Sequence, residues 1–126
     1  MGIVTSYRVY RNPPYMALVI EATPEPGPLG VQAISVAHYG EQNGDLMRDP
    51  EMCFELSNPL DMGWILTSFY FRNDYMGVEQ YSRTREGENY VFVPDLLQEH
   101  ESFARTWDKN LRAQGFLEAF KRSRKQ

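Results

Sequence analysis

Short segments of β-branched and aromatic residues fill the first ninety residues of the chain, and turn-forming residues separate them. Such segments are typical of β-strands. The pattern predicts seven strands: Ile3–Tyr10, Tyr15–Glu21, Val31–Tyr39, Met52–Leu56, Trp64–Phe71, Val78–Ser82 and Tyr90–Val93. Between the second and third, Thr23–Gly30 holds three prolines, which lack a backbone N–H group, so we expect a loop there. Polar residues predict two more loops, at 40–50 and 83–89.

Two of the predicted strands differ in how their apolar residues are arranged. In Met52–Leu56, large apolar side chains alternate with Cys53 and Glu55, as expected for a strand with one apolar face. In Trp64–Phe71, apolar side chains fall on both faces. That pattern indicates either a central strand or a face left for a partner.

After the strands, the apolar spacing changes to that of a helix. Asp95 is a suitable N-cap with Gln98 three residues later, and Gly115 is a suitable stop. One apolar stripe links Leu96, Leu97, His100, Phe103, Ala104, Trp107 and Leu111. We expect His100 to be a packing residue on this stripe. A short second helical segment follows with Phe116, Leu117 and Phe120.

Strands followed by a helix, without β-α-β alternation, predict an α+β fold. We expect an antiparallel β-sheet of about six to seven strands, with the C-terminal amphipathic helix packed on one face. A mass of 14.7 kDa suits a single domain over residues 1–126, because two separate cores would each be marginal. Its parts are a β-rich region (1–93), a helical region (95–120) and a basic tail (121–126).

Composition and charge exclude several protein classes. Apolar residues make up 42% of the chain, which is enough for a core and argues against disorder. The longest apolar runs are too short to cross a membrane. The net charge is −4, but residues 1–100 hold 6 basic and 14 acidic side chains, whereas residues 101–126 hold 7 basic and 3 acidic ones. The acidic part disfavours nucleic-acid binding, while the basic end permits it.

Cys53 is the only cysteine in the chain. It cannot form an intramolecular disulfide, and a small secreted domain would often hold several, so we expect a cytoplasmic protein. Because Cys53 lies between Met52 and Phe54, we expect a buried and unreactive thiol.

The polar segment from His38 to Glu51 contains the residues best suited to metal or acid–base chemistry. A metal-dependent hydrolase or nuclease would use His38, Asp45, Asp49 and Glu51. Their spacing matches no calcium loop or zinc-protease motif, so we expect neither a metal nor another cofactor. We expect Asn43-Gly44 to form a tight turn, Asp45 and Asp49 to cap turns, and Arg48 to balance their charge.

A second polar and aromatic cluster lies in the segment from Phe71 to Tyr81. Its arginine, tyrosines and methionine have the composition of a protein-interface hot spot. Combined with the acidic segment, it predicts a partner-binding set: Glu41, Asp45, Arg48, Asp49, Arg72, Asp74, Tyr75 and Met76.

Four segments of the sequence resemble a family of small uncharacterised bacterial proteins that contain a domain of unknown function. They are Glu41-Gln42-Asn43-Gly44-Asp45-Leu46, Asp49-Pro50-Glu51-Met52, Asn73-Asp74-Tyr75-Met76-Gly77-Val78-Glu79-Gln80 and Trp107-Asp108-Lys109-Asn110-Leu111. The resemblance covers most of residues 31–120 and implies an origin on plasmids, integrative elements or phages. It brings no catalytic residues. Accessory proteins of such elements often disable host defence machinery, and this association favours a protein partner.

Three functional hypotheses follow from the sequence. We favour a non-enzymatic interaction protein, whose partner would be a protein such as a host defence nuclease. The second hypothesis is the metal-dependent hydrolase or nuclease described above. The third is a nucleic-acid-binding protein that uses the basic C-terminus, at Lys121, Arg122, Arg124 and Lys125. The sequence leaves the oligomeric state open.

Overall fold

The computed structural model describes residues 7–123 and confirms the α+β fold. Six strands form a curled antiparallel sheet in chain order: β1 (Tyr7–Tyr10), β2 (Leu18–Ala22), β3 (Ala33–Gln42), β4 (Asp45–Ser57), β5 (Ile65–Asn73) and β6 (Val78–Tyr81). A separate hairpin pairs β7 (Arg83–Glu86) with β8 (Asn89–Phe92). Two helices follow, α1 (Pro94–Ala113) and α2 (Phe116–Ser123), and a short 3-10 helix spans Pro59–Asp61.

The predicted loop at residues 40–50 was wrong, because these residues continue β3 and begin β4. A two-residue turn joins the strands: Asn43 (φ 53°) and Gly44 (φ 85°) both take left-handed conformations, and Gln42 pairs with Asp45. The predicted Asn43-Gly44 turn is therefore confirmed. These strands form without apolar side chains because backbone hydrogen bonds between β3 and β4 hold the hairpin together. Its tip is exposed on both faces, so polar side chains are favoured there.

The predicted loop at residues 83–89 was also wrong, since Arg83–Glu86 is a strand paired with β8. Polar side chains hid this strand from the sequence pattern. Residues 7–123 thus contain eight strands, one more than predicted. The predicted start of the first strand, residues 3–6, lies outside the described part of the chain.

Helix α1 begins at Pro94, one residue earlier than predicted. Its N-cap is Val93 rather than Asp95, with Pro94 in the first turn, and the N–H of Leu97 donates to the carbonyl of Val93 at 2.9 Å. Proline is favoured there because its φ already suits a helix and its missing N–H has no helical acceptor. Gly115, at φ 86°, follows the helix C-terminus as expected.

The helices cover one face of the sheet. Trp107 and Phe116 form a buried core with Leu18, Met52 and Phe54. His100 is buried as predicted, with Nε2 3.0 Å from Gln80 Oε1. Among residues 7–123, no helix combines the length and the apolar character that crossing a bilayer requires.

On the opposite face, a buried ion pair joins Arg83 to Glu55. The other donors of Arg83 reach the carbonyls of Thr67 and Ser68, both at 3.3 Å, and the hydroxyl of Tyr90 at 2.8 Å. The pair therefore attaches the β7–β8 hairpin to β4 and β5.

Glu55 also holds the proline-rich loop. Its Oε2 accepts the N–H groups of Leu29 at 2.8 Å and Val31 at 3.4 Å. A β-carbon at Gly27 would collide with the Glu55 side chain, so glycine is required where the loop crosses this carboxylate. Arg85 Nε adds a hydrogen bond to the Pro28 carbonyl at 2.9 Å.

We expect Arg83→Met to lower the free energy of unfolding by about 3–5 kcal/mol, because it leaves the Glu55 carboxylate buried without its partner. Urea denaturation measures this directly. The matched control is Arg112→Met, which breaks an exposed pair with Asp108 and should cost below about 0.5 kcal/mol. Similar losses in the two variants would contradict the role assigned to Arg83.

We expect Trp107→Ala to cost about 3–5 kcal/mol, as for other large deletions in a core. The exposed neighbour substitution Lys109→Ala should change stability by less than about 0.5 kcal/mol. If Trp107→Ala cost less than about 1 kcal/mol, α1 would not dock through this side chain.

Candidate functional site

The β3–β4 turn and the β5–β6 connection lie side by side at one end of the sheet. The N–H of Asp74 donates to the Arg48 carbonyl at 2.9 Å, and the N–H of Arg48 donates to Asp74 Oδ2 at 2.8 Å. Nearby, Asn73 Nδ2 donates to Asp49 Oδ1 at 3.0 Å. These hydrogen bonds cross-link the two hairpins into one rigid end.

The predicted partner-binding residues all lie at this end of the sheet. We call them the hairpin-tip surface: Glu41, Asp45, Arg48, Asp49, Arg72, Asp74, Tyr75 and Met76. Met76 is 71% exposed, and its N–H is held by Asn73 Oδ1 at 3.1 Å. The Tyr75 hydroxyl lies over Gly40, where a β-carbon would collide with it. Their role in binding stays a prediction.

Sequence analysis missed one exposed apolar residue at this end. Leu46 follows the Asn43-Gly44 turn and is largely exposed. The available signal was a single leucine in an otherwise polar segment. It did not indicate an exposed strand residue, because the segment was predicted to be a loop.

Ion pairs extend from the hairpin-tip surface across the face without helices. Arg72 Nε donates to Asp74 Oδ1 at 2.7 Å, and its Nη1 reaches Glu79 Oε2 at 3.4 Å. Arg48 Nε lies 3.1 Å from Glu51 Oε1. Arg48 thus pairs with Glu51 and Asp74, whereas we expected it to balance Asp45 and Asp49.

Hydrogen bonding keeps Asp74 ionised. The backbone N–H of Arg48, and then the Arg72 side chain, lower the pKa of the Asp74 carboxyl below its ordinary value. A depressed folded-state pKa means that this stabilising contribution is present above the unfolded-state pKa and is lost as the pH falls. At neutral pH the cross-link between the two hairpins is therefore intact.

A cleft of about 310 Å³ adjoins this network. Its lining includes Arg48, Glu51, Cys53, Tyr70, Arg72 and Tyr81, and Pro24 and Pro26 of the proline-rich loop. Burial, and then the nearby Glu51 carboxylate, raise the pKa of the Cys53 thiol to about 12. Burial and the hydrogen bond to Glu79 likewise raise the pKa of Tyr70. Both shifts disfavour the ionised form that a nucleophile or a general base needs.

The structure separates the four residues of the metal hypothesis. His38 packs on the helix side, with its ring centroid 5.8 Å from that of Trp107 and its Nδ1 3.1 Å from the Ala17 carbonyl. Glu51 lies on the other face, where it accepts from Ser35 Oγ at 2.6 Å.

The two aspartates of that hypothesis are strand residues rather than the turn caps we expected. Asp45 begins β4 at the exposed tip, and Asp49, further along β4, accepts a hydrogen bond from Asn73 at the end of β5. Across residues 7–123, no group of three or more His, Cys, Asp and Glu side chains could hold a metal ion.

The basic C-terminus is only partly described. Lys121 and Arg122 are exposed in the last turn of α2, and Arg122 Nη2 reaches Asn12 Oδ1 at 3.3 Å. Arg124 and Lys125 lie outside the described residues.

Comparisons with known proteins give a family but no activity. The family model described as "Domain of unknown function (DUF6908)" matches residues 2–117. No curated protein and no solved structure matches the chain.

We expect Cys53 to resist alkylation in the folded protein. A pKa near 12 lowers the thiolate fraction at neutral pH about a thousandfold relative to an ordinary thiol, and burial adds a steric barrier. Mass spectrometry after iodoacetamide treatment measures the labelled fraction, with urea-unfolded protein as the control. Equal labelling rates in the two states would contradict the assignment of an unreactive thiol.

Proposed function

The chain belongs to this family of unknown function, and we propose that it is a small, cytoplasmic, non-enzymatic module that binds a protein partner through the hairpin-tip surface. The observation that carries the proposal is the cross-link between Arg48 and Asp74. It fixes the β5–β6 hairpin, which displays Tyr75 and Met76 to solvent, to the β3–β4 hairpin.

The composition of this surface fits a protein interface. Tyrosine, methionine and arginine are enriched in interface cores, and charged groups surround them at the rim. Tyr75 and Met76 supply the apolar centre, and Glu41 and Asp45 are exposed carboxylates near it. Because the backbone here is already ordered, binding costs less conformational entropy than binding by a flexible loop.

The charge of the surface favours a basic partner. Its four carboxylates outnumber its two guanidinium groups, and residues 1–100 as a whole are acidic. Complementary charge steers association with a basic groove of the kind that binds nucleic acid. A host defence nuclease, expected from the resemblance to proteins of mobile elements, has such a groove and is the first partner to test.

Neither alternative function gains an observation of comparable weight. The metal hypothesis needs His38 and Glu51 together, and these side chains lie on opposite faces of the sheet. The nucleic-acid hypothesis rests on the exposed basic residues at the end of α2.

We expect Met76→Ala to weaken partner binding at least about tenfold, as for a hot-spot residue of an interface centre. A partner is first captured from host lysate with the whole chain, then purified and titrated by calorimetry. The matched control is Leu29→Ala, another exposed apolar side chain, which lies in the proline-rich loop beside Glu55 and away from the hairpin-tip surface.

A charge variant tests steering separately. Glu41→Lys with Asp45→Lys should slow association and flatten its dependence on salt, because complementary charge would be lost. The proposal fails if Met76→Ala and this double variant both bind like the unaltered protein. An electrophoretic shift of DNA or RNA that needs residues 121–126 would favour the nucleic-acid hypothesis instead.

A further inference from the structure

The connection between β4 and β5 exposes large apolar side chains at the end of the sheet opposite the hairpin-tip surface. Leu60 is 88% exposed, Met62 84% and Trp64 70%. Ile65 and Leu66, at the start of β5, are each about half exposed. Soluble monomers seldom expose this many large apolar residues within one short segment.

The edge strand β8 exposes a second apolar run. Within residues 7–123, β8 pairs only with β7, and Tyr90, Val91, Phe92 and Val93 are all exposed. Glu86 and Asn89 flank the two-residue turn, so by the alternation of antiparallel pairs the backbone groups of Tyr90 and Phe92 point to the free edge. This edge carries no lysine or proline to block pairing with another strand.

Arg83 connects the two runs. Its guanidinium group donates both to the Thr67 carbonyl, two residues after Ile65, and to the hydroxyl of Tyr90. Both runs are therefore tied to this one guanidinium group. We call them together the apolar edge: Leu60, Met62, Trp64, Ile65, Leu66, Tyr90, Val91, Phe92 and Val93.

The size of the apolar edge matches one side of a stable dimer. With aromatic side chains of about 150–250 Å² and somewhat smaller aliphatic ones, the exposed fractions amount to roughly 800 Å². That exceeds the largest apolar patch of a typical monomer, about 300–600 Å². It equals the share of one partner in an interface of standard size, about 800 Å².

We propose that a second copy of this chain covers the apolar edge, forming a two-fold symmetric dimer in which the β8 strands pair antiparallel about Val91. Antiparallel pairing of a strand with its own copy is self-complementary, as a two-fold axis requires. Interfaces between identical subunits are also more apolar than those between different proteins. Among residues 60–66 and 90–93, Asp61 is the only charged residue.

The dimer has a functional consequence that rests on the proposed function above. Strand β5 runs from Ile65 at the apolar edge to Asn73 at the hairpin-tip surface, eight steps or about 26 Å. Joining two copies at their apolar edges leaves both hairpin-tip surfaces free at the outer ends. The dimer would therefore bind two partner molecules, or two sites of one assembly, with the gain in avidity that bivalency gives.

Sedimentation equilibrium of the full chain tests the dimer without any partner. We expect a mass twice the 14.7 kDa of one copy, falling towards one copy on dilution. Met62→Glu should raise the dimer dissociation constant at least about tenfold. The matched control, Met76→Glu, changes an equally exposed methionine at the hairpin-tip surface and should leave the dimer intact. Circular dichroism confirms that each variant is folded.

A charge-swap pair tests the proposed symmetry. In the antiparallel pair Val91 faces its own copy, so Val91→Lys alone and Val91→Glu alone should each be monomeric through like-charge repulsion. An equimolar mixture of the two variants should recover a dimer. No structural role of Val91 within one chain predicts that recovery.

Three results would overturn the proposal. The first is a mass of one copy at every concentration. The second is a dimer that neither Met62→Glu nor Val91→Lys weakens. The third is a monomeric protein that binds a captured protein and loses this binding in Met62→Glu. The last result would assign the apolar edge to a different protein. Loss of partner binding in Met76→Ala with an unchanged dimer would support the proposed function independently.

Discussion

Arg83 and Glu55 bury opposite charges at the point where the proline-rich loop, the sheet and the β7–β8 hairpin meet. A buried charge is tolerated only when its partner and its remaining hydrogen bonds are in place. Every donor nitrogen of the guanidinium has an acceptor, and Glu55 holds two backbone N–H groups besides. The position of the β7–β8 hairpin therefore depends on this pair. The position of the exposed β8 edge depends on it in turn, because β8 is the outer strand of that hairpin.

The two faces of the sheet follow different physical rules. The helix side is stabilised by apolar packing around Trp107. The other side is stabilised by ion pairs and hydrogen bonds, from Arg83–Glu55 at one end to Arg48–Asp74 at the other. Within this polar face, burial raises the pKa of the Cys53 thiol and of the Tyr70 phenol.

The two ends of the sheet differ in the same way. At the hairpin tips, polar side chains are held by hydrogen bonds, and apolar exposure is limited to a few residues such as Tyr75 and Met76. At the β4–β5 connection, Leu60, Met62 and Trp64 are largely exposed to water. Complementary charge would favour association at the first end, whereas association at the second end would be favoured mainly by the removal of apolar area from water.

Local patterns in the sequence were enough to predict the α+β class, the Asn43-Gly44 turn, the burial of His100 and the apolar face of α1. These features depend on spacing and on the conformations that single residues allow. The sequence also singled out both groups of residues that meet at the hairpin tips. Their juxtaposition, the separation of His38 from Glu51 and the strand at Arg83–Glu86 depend on pairing between segments distant in the chain. Only the tertiary structure decides these, because hydrogen bonds and buried charges, which leave no apolar period in the sequence, hold such segments together.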